Sequence, residues 1–275
     1  MKPAVKPILD ALNQPFEVAE KDLAFFRQNG FVRISNVLSP EVLSFMDDVI
    51  SFEVDRLNTQ HLALEDRDTY GKAFLQIMNI WRTSALGKEI VFSRRIADIA
   101  RQLLNVTGVR LYHDQALFKE PGGGHTPWHA DQYYWPLETD RTVTAWIPLQ
   151  ETPLELGPLE FSAGSAALTD GRDKEISDES QAFLEARLKE NGFPHVVEPF
   201  RLGDVSFHTG WTFHRAGPNT TSSQVRKVMT MIYMDQDMRL KAPSNPNQQA
   251  DWDAWCPGAK IGEVVNTELN PVIVP

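Results

Sequence analysis

Two side chains that can bind a metal ion lie two positions apart in the segment WHADQYYWP, residues 128–136. In a β-strand, residues i and i+2 point to the same side, so His129 and Asp131 are expected to face one object together. With 7 histidines and 37 acidic residues in the chain, however, about one such triplet would arise by chance. The pair therefore needs a further ligand from elsewhere in the sequence.

The third ligand is expected at His214, near the end of the segment GDVSFHTGWTFHRAGPN, residues 203–219. Two histidines and one carboxylate can occupy one face of an octahedral ion and leave other positions open. This is the ligand arrangement of the non-haem Fe(II) oxygenases. His129, Asp131 and His214 are thus the candidate metal ligands.

Arg226, twelve residues after His214, is the candidate anchor for an anion. A keto acid that chelates iron needs its far carboxylate held, and a guanidinium can donate two parallel hydrogen bonds to that group. In a strand, Arg226 would share one face with Val228 and Thr230, while Lys227 would point to the other. An ordinary salt bridge at a strand end is the alternative interpretation of Arg226.

The elements that must position these residues are helical first and β-rich later. Helices are expected over residues 19–29, ending at Gly30, from Pro40 after the capping residue Ser39, and over residues 94–104. From residue 109 onwards, short β-rich segments alternate with Gly and Pro turns. This order of helices followed by short strands and turns predicts a mainly β fold with flanking α-helices and a double-stranded β-helix core, a cupin-like jelly roll.

We expect one domain over residues 1–275, with a helical part to about residue 108, the jelly-roll core over about 109–240 and a tail over about 241–275. Residues 170–193 are charged and helix-prone, which favours a solvated surface excursion over a substrate lid. The net charge of −10 argues against nucleic acid and anionic membranes as partners. One cysteine, and the absence of a signal peptide or a long apolar segment, predict a cytoplasmic protein.

The order of these segments resembles the phytanoyl-CoA dioxygenase superfamily, the non-haem iron and 2-oxoglutarate oxygenases. The resemblance covers roughly residues 15–240. It is carried by NGFVRISNVLS, LYHDQALFKEPGGGHTPWHAD, TAWIPLQE, GPLEFSAGS and GDVSFHTGWTFHRAGPN with the arginine that follows. It implies a dioxygenase that uses Fe(II), 2-oxoglutarate and O₂ and hydroxylates a small organic molecule, with release of succinate and CO₂. Family members that halogenate carry a small residue at the position of Asp131, so the acid favours hydroxylation.

The resemblance also assigns residues. It implies iron ligands at His129, Asp131 and His214, with Arg226 on the distal carboxylate of 2-oxoglutarate. It further implies cosubstrate contacts from Lys119, Gln115 and Trp146, and it places His208 beside the metal. The spacing from His214 to Arg226 is one residue longer than is typical, so Lys227 is a substitute anchor. Ala216 stands where members often carry a serine that touches the keto acid.

Substrate contacts are expected from Tyr133, which would continue the face of His129 and Asp131, from Trp211, and from His113 if its strand turns it inward. The sequence does not identify the substrate or the oligomeric state. Two rival functions stay open: a jelly-roll metalloenzyme that uses no keto acid, and a non-catalytic ligand-binding protein of the same fold.

Overall fold

The computed structural model describes residues 5–275, and within that range the backbone forms eight α-helices and eleven β-strands. The helices are α1 Val5–Asn13, α2 Glu20–Asn29, α3 Pro40–Leu57, α4 Thr69–Ala73, α5 Ala85–Val91, α6 Arg94–Leu104, α7 Asp178–Glu190 and α8 Pro246–Trp255. The strands are β1 Phe31–Ile34, β2 Leu75–Met78, β3 Val109–Lys119, β4 Thr126–His129, β5 Thr142–Pro148, β6 Leu159–Ser162, β7 His195–Val197, β8 Val205–Thr209, β9 His214–Ala216, β10 Arg226–Asp235 and β11 Val272–Val274.

Two antiparallel sheets form the β part of the described chain. The larger sheet has the order β1-β8-β5-β10-β3-β11, with β2 also paired to β3, and the smaller has the order β4-β9-β6-β7. Side chains of both sheets meet in an apolar cluster that includes Trp146 and Val228 from the larger and Leu159 and Phe161 from the smaller. This arrangement confirms the predicted mainly β fold, with a two-sheet core of the jelly-roll type.

Helices α1, α3 and α6 cover the outer face of the larger sheet. Met229, Met231 and Tyr233 of β10 are fully buried in one cluster with apolar residues of α1, α3 and α6. Because side chains alternate along a strand, Arg226, Val228 and Thr230 are directed to the opposite face, between the sheets. The helical layer thus buries one side of the sheet and leaves the other for the site.

Local sequence accounts for the helix boundaries near the start of the chain. Gly30 ends α2 with φ of 78°, a conformation that favours glycine, and the strand β1 follows at once. Ser39 begins α3 by accepting a hydrogen bond from the backbone N–H of Val42, with Pro40 in the first turn. Both boundaries were predicted from these residue types.

The C-terminal residues are built into the fold instead of trailing from it. Strand β11 pairs with β3, and Gln248 of α8 donates a hydrogen bond to the carbonyl of Tyr133, 2.9 Å away. The segment expected to be a tail therefore completes one sheet edge and reaches the residues next to Asp131. Within residues 5–275, none of the helices combines the length and the apolar character needed to cross a bilayer.

Candidate active site

The three predicted metal ligands converge at one point between the sheets. His129 ends β4 and His214 begins β9, and these two residues lie opposite each other in the pairing of the strands. One donor atom from each of His129, Asp131 and His214 lies within 4.8 Å of the others. The Oδ1 of Asp131 is 3.6 Å from the Nε2 of both histidines.

The strand that carries His129 is shorter than the sequence argument assumed. It ends at His129, and Asp131 begins a 3-10 turn over Asp131–Tyr134. Ala130 between them is still extended, with φ of −127° and ψ of 125°, which keeps the i, i+2 alternation as far as Asp131. The two side chains therefore share a direction, although only His129 belongs to the strand.

Hydrogen bonds fix which nitrogen of each histidine is free. The Nδ1 of His129 lies 2.7 Å from the carbonyl oxygen of Pro127, and that of His214 lies 2.9 Å from the carbonyl of Thr212. A carbonyl only accepts, so both Nδ1 atoms carry the proton and both Nε2 lone pairs face Asp131. Burial, followed by the neighbouring imidazole, lowers the pKa of each histidine to about 4. Both rings are neutral at pH 7, as a metal ligand must be.

The second oxygen of Asp131 is held by residues of the larger sheet. Its Oδ2 accepts from the hydroxyl of Thr144 at 2.9 Å and from the Nε2 of His208 at 3.3 Å. Burial opposes ionisation, but the imidazoles of His214, His208 and His129 together hold the pKa of Asp131 well below its usual range. Two neutral imidazoles and one oriented carboxylate form a donor set that fits Fe(II).

The three donors line a cavity of about 470 Å³, and Arg226 lines the same cavity. The Arg226 side chain is 1% exposed, and its Nη1 donates to the carbonyl of Gly157 at 2.7 Å. Its Nε is buried and has no hydrogen-bond partner among the described residues. Burial lowers its pKa to about 9, so the guanidinium keeps its charge at neutral pH. A buried cation with a free donor is suited to an incoming carboxylate.

Lys227 does not compete for that role. Its Nζ forms a salt bridge with Asp47 of α3, 2.9 Å away on the helix-covered face of the sheet. The longer spacing before Arg226 is taken up in the turn between β9 and β10. There the side-chain amide of Asn219 donates to the carbonyls of Lys119 and Gln224. Arg226, and not its neighbour, is therefore directed into the cavity.

The other predicted cosubstrate residues divide into two groups. Gln115 and Trp146 line the cavity, and the Trp146 ring lies 5.6 Å from the Arg226 guanidinium. Lys119 lies opposite Arg226 in the sheet, but it is not among the cavity residues, and its Nζ donates to the carbonyls of Gly124 and Gly217. Burial, then the charge of Arg226, lowers its pKa to about 6. Lys119 therefore links the loop that contains Gly124 to the loop that contains Gly217 through hydrogen bonds.

Of the three predicted substrate residues, the structure places only His113 on the cavity surface. Tyr133 lies in the 3-10 turn, where the alternation from His129 no longer holds, and packs beneath α8. Trp211 lies outside the cavity and stacks under the Arg172 guanidinium at 4.4 Å. Tyr134 and Trp135 take their place in the cavity wall. The expectation for Tyr133 and Trp211 is corrected on this point.

Several residues that line the cavity were not predicted from the sequence. Thr144 had a detectable signal, because strand alternation places it on the same face as Trp146. The residues of α8, Asn247, Asp251 and Trp255, had none, since the tail carries no motif. Residues 170–193 also contribute, through Glu175 and Ile176 just before α7. The excursion is thus part of the cavity wall.

Comparisons with known proteins agree with this geometry. Residues 26–228 match the phytanoyl-CoA dioxygenase (PhyH) family. The chain is 25% identical over 221 residues to the "Probable alpha-ketoglutarate-dependent hypophosphite dioxygenase" of Stutzerimonas stutzeri, covering 75% of each protein. It is 27% identical over 175 residues to the ectoine dioxygenase of Streptomyces anulatus, covering 59% of this chain and 57% of that one.

A solved structure extends the likeness to almost the whole chain. The epimerase SnoN, crystallised with Fe³⁺, alpha-ketoglutarate (2-oxoglutarate) and nogalamycin RO, aligns with a TM-score of 0.76 at 25% identity. The alignment covers 92% of this chain and 98% of SnoN. The chain therefore belongs to the phytanoyl-CoA dioxygenase family of iron- and 2-oxoglutarate-dependent dioxygenases.

Proposed function

We propose that His129, Asp131 and His214 bind Fe(II) and that Arg226 holds the distal carboxylate of 2-oxoglutarate, with Gln115 and Trp146 beside it. The enzyme then hydroxylates a small organic molecule and releases succinate and CO₂. One observation carries this proposal. Three mutually oriented donors and a buried guanidinium with an unused N–H line the same cavity.

Iron, together with 2-oxoglutarate and O₂, supplies the oxidising chemistry when bound. The residues of the chain bind and orient the reactants. The neutral rings of His129 and His214 offer Nε2, while Thr144 and His208 stop the Asp131 carboxylate from rotating. Arg226 fixes the far end of the keto acid, and the aromatic wall keeps bulk water from the reacting atoms.

The substrate does not follow from the relatives. Two of them are named for ectoine and for hypophosphite, compounds of unlike charge and size, so neither name is transferred to this chain. A small molecule fits, because one cavity of about 470 Å³ has to hold substrate and 2-oxoglutarate together.

The single cysteine, Cys256, is buried and unpaired, which supports our proposal that the protein works in the reducing cytoplasm.

The test is anaerobic addition of Fe(II) and 2-oxoglutarate, followed by the weak visible charge-transfer band of their complex. We expect the band in the wild type and in His61→Ala, a control at an exposed histidine outside the cavity. His214→Ala should not give it. Equal bands in all three proteins, or none in the wild type, would contradict the ligand assignment.

A metabolite screen for succinate then addresses the reaction. Succinate that accumulates with one class of compound, together with a hydroxylated product, supports the proposal. Turnover without 2-oxoglutarate would favour a jelly-roll metalloenzyme of another kind. Iron binding with no succinate from any compound would favour a non-catalytic ligand-binding protein.

A further inference from the structure

The cavity has two ends of unlike charge. Arg226 is the one arginine or lysine along its surface within residues 5–275. His113 lies on β3 opposite Ile232, six residues along β10 from Arg226, so the two backbone positions are about 20 Å apart. Besides Asp131, the carboxylates that line the cavity are those of Asp251 and Glu175. Trp255 connects Asp251 to His113, because its side chain hydrogen-bonds Asp251 and its ring packs against the His113 ring. Beyond the metal ligands, the end away from Arg226 therefore carries acidic groups and no cation.

Asp251 is held in place by the strand behind it. The hydroxyl of Tyr112 donates to its Oδ2 at 2.9 Å, and the Trp255 side chain also hydrogen-bonds it. Tyr112 can reach it because β3 carries a β-bulge here: Ile232 pairs with His113 and Tyr233 with Leu111, which leaves Tyr112 unpaired. A bulge re-aims one side chain, so the buried Tyr112 reaches Asp251 while the neighbouring His113 lines the cavity.

Helix α8, which carries Asp251, is fixed over the site. The side-chain amide of Asn247 donates to the hydroxyl of Tyr133 at 3.2 Å and to the carboxylate of Glu175 at 3.0 Å. The second carboxylate thus reaches the same wall from the segment before α7. Two separate parts of the chain bring an acidic group to one region.

A second, independent feature at this end points to a ligand. His113 is 4% exposed, and its Nδ1 is buried without a hydrogen-bond partner among the described residues. Burial lowers its pKa to about 3, so the ring is neutral and one nitrogen is an acceptor. An unpaired buried polar atom is unfavourable, because it has lost its hydrogen bonds to water without replacement. A donor group on a bound molecule would supply the missing hydrogen bond.

Aromatic rings complete this end. Trp135 and Trp255 line the cavity, and the Trp255 ring centroid lies 5.3 Å from that of His113. Ring faces attract cations as well as apolar groups. Carboxylates, a neutral acceptor nitrogen and ring faces together suit a positively charged donor.

We propose that the substrate is a small molecule with an ammonium group next to an apolar skeleton, and that Asp251 and His113 bind the ammonium. The inference rests on the function proposed above, since it concerns the substrate end of the same cavity. It disfavours substrates whose recognised group is an anion, such as acyl thioesters of phosphorylated carriers or small oxyanions.

The test compares three probes that share one skeleton: benzylamine, benzyl alcohol and benzoate. Binding is measured by calorimetry in the enzyme loaded anaerobically with Fe(II) and 2-oxoglutarate, at pH 8, above the pKa of about 7 to which burial raises Asp251. We expect benzylamine to bind about 10-fold or more tighter than the alcohol, with benzoate weakest, as expected for a hydrogen bond to a charged group.

Two variants of α8 separate recognition from folding. Asp251→Asn should lower benzylamine affinity to that of the alcohol and leave the alcohol unchanged. Asp253→Asn, at an exposed position of the same helix, should bind all three as the wild type does. No benzylamine binding to the loaded wild type, equal affinity for amine and alcohol, or equal losses in both variants would overturn the proposal.

The loading step keeps this outcome apart from failure of the proposed function. Asp251 forms no hydrogen bond with the predicted iron ligands or Arg226 among the described residues, but its charge acts on Asp131, so each protein is loaded until its charge-transfer band is complete before a probe is added. If the wild type itself gives no band, the proposed function fails before any probe is added. If the band forms and the amine preference is absent, only the substrate inference fails.

Discussion

Replacing Arg226 by glutamine is expected to weaken 2-oxoglutarate binding without removing iron. Arg226 is buried, its Nη1 is bound to Gly157, and its Nε is free. Breaking a buried charge pair costs about 3–5 kcal/mol, and about 1.4 kcal/mol corresponds to tenfold, so the Kd for 2-oxoglutarate should rise by roughly 100- to 4000-fold. The lower part of the range applies because glutamine can still donate one hydrogen bond.

The assay is an anaerobic titration of the Fe(II)-loaded protein with 2-oxoglutarate, read from the visible band. Fe(II) affinity should be unchanged, since none of His129, Asp131 and His214 is altered. The matched control is Lys227→Gln, the next residue on the opposite face, whose ion pair with Asp47 is partly exposed. Its removal should cost at most about 1 kcal/mol of stability and leave the Kd within roughly twofold.

The reasoning would be refuted by a Kd that changes less than tenfold in Arg226→Gln, or by a larger effect in Lys227→Gln. Thermal unfolding of both variants shows whether the fold is kept. Arg226→Lys refines the result. A lysine keeps the charge but loses the two-pronged geometry, so its Kd should lie between those of the wild type and the glutamine variant.

Two further predictions concern the surroundings of the metal site. Thr144→Val removes the hydroxyl that donates to Asp131 and should lower Fe(II) affinity about 10- to 100-fold in an anaerobic titration. The control is Thr142→Val, because the Thr142 hydroxyl donates to Gln132 and its removal should leave Fe(II) affinity unchanged. Equal Fe(II) affinities in the two variants would contradict the orienting role of Thr144. Asp114 is buried behind the sheet, and burial raises its pKa to about 7, so the folded state keeps a proton that the unfolded state loses above about pH 4. The stability from this group is present at low pH and lost as pH rises to about 7, by up to roughly 4 kcal/mol. Denaturant unfolding from pH 4 to pH 8 should show that decline in the wild type relative to Asp114→Asn, and parallel curves for the two proteins would refute it.

The candidate metal ligands were predictable because their pattern involves residues that are close in the sequence and a regular backbone geometry. His129 and Asp131 need only two positions of extended chain, which Ala130 supplies even though the strand has ended. Alternation along β10 predicted that Arg226 and Lys227 point to opposite faces, but the sequence left open which of them anchors 2-oxoglutarate. In the structure Lys227 pairs with Asp47 of α3 and Arg226 lines the cavity. The end of a helix or strand, and the face to which a strand residue points, depend on interactions between residues that are close in the sequence. Such features can therefore be predicted from short segments.

Tyr133 shows where this kind of argument stops. Its assignment extended the alternation two residues too far, into a 3-10 turn in which the Tyr133 carbonyl accepts a hydrogen bond from Gln248 of α8. The roles of Asp251 and Trp255 depend on where a distant helix docks, more than 100 positions after β3. No periodicity or motif in the chain reports such long-range packing, which is decided by the shape of the surfaces that meet.

The β-bulge at Tyr112 connects strand β3 to helix α8, because it lets the Tyr112 hydroxyl donate to Asp251. This connection bears on how new substrate specificities arise. The predicted iron ligands lie on two strands and a 3-10 turn within residues 26–228, which match the family, whereas α8 lies beyond those residues. Exchanging α8, together with the loop before α7, would exchange the molecule that is recognised and leave the oxidising centre intact. A library confined to those two segments should yield altered selectivity at undiminished iron occupancy.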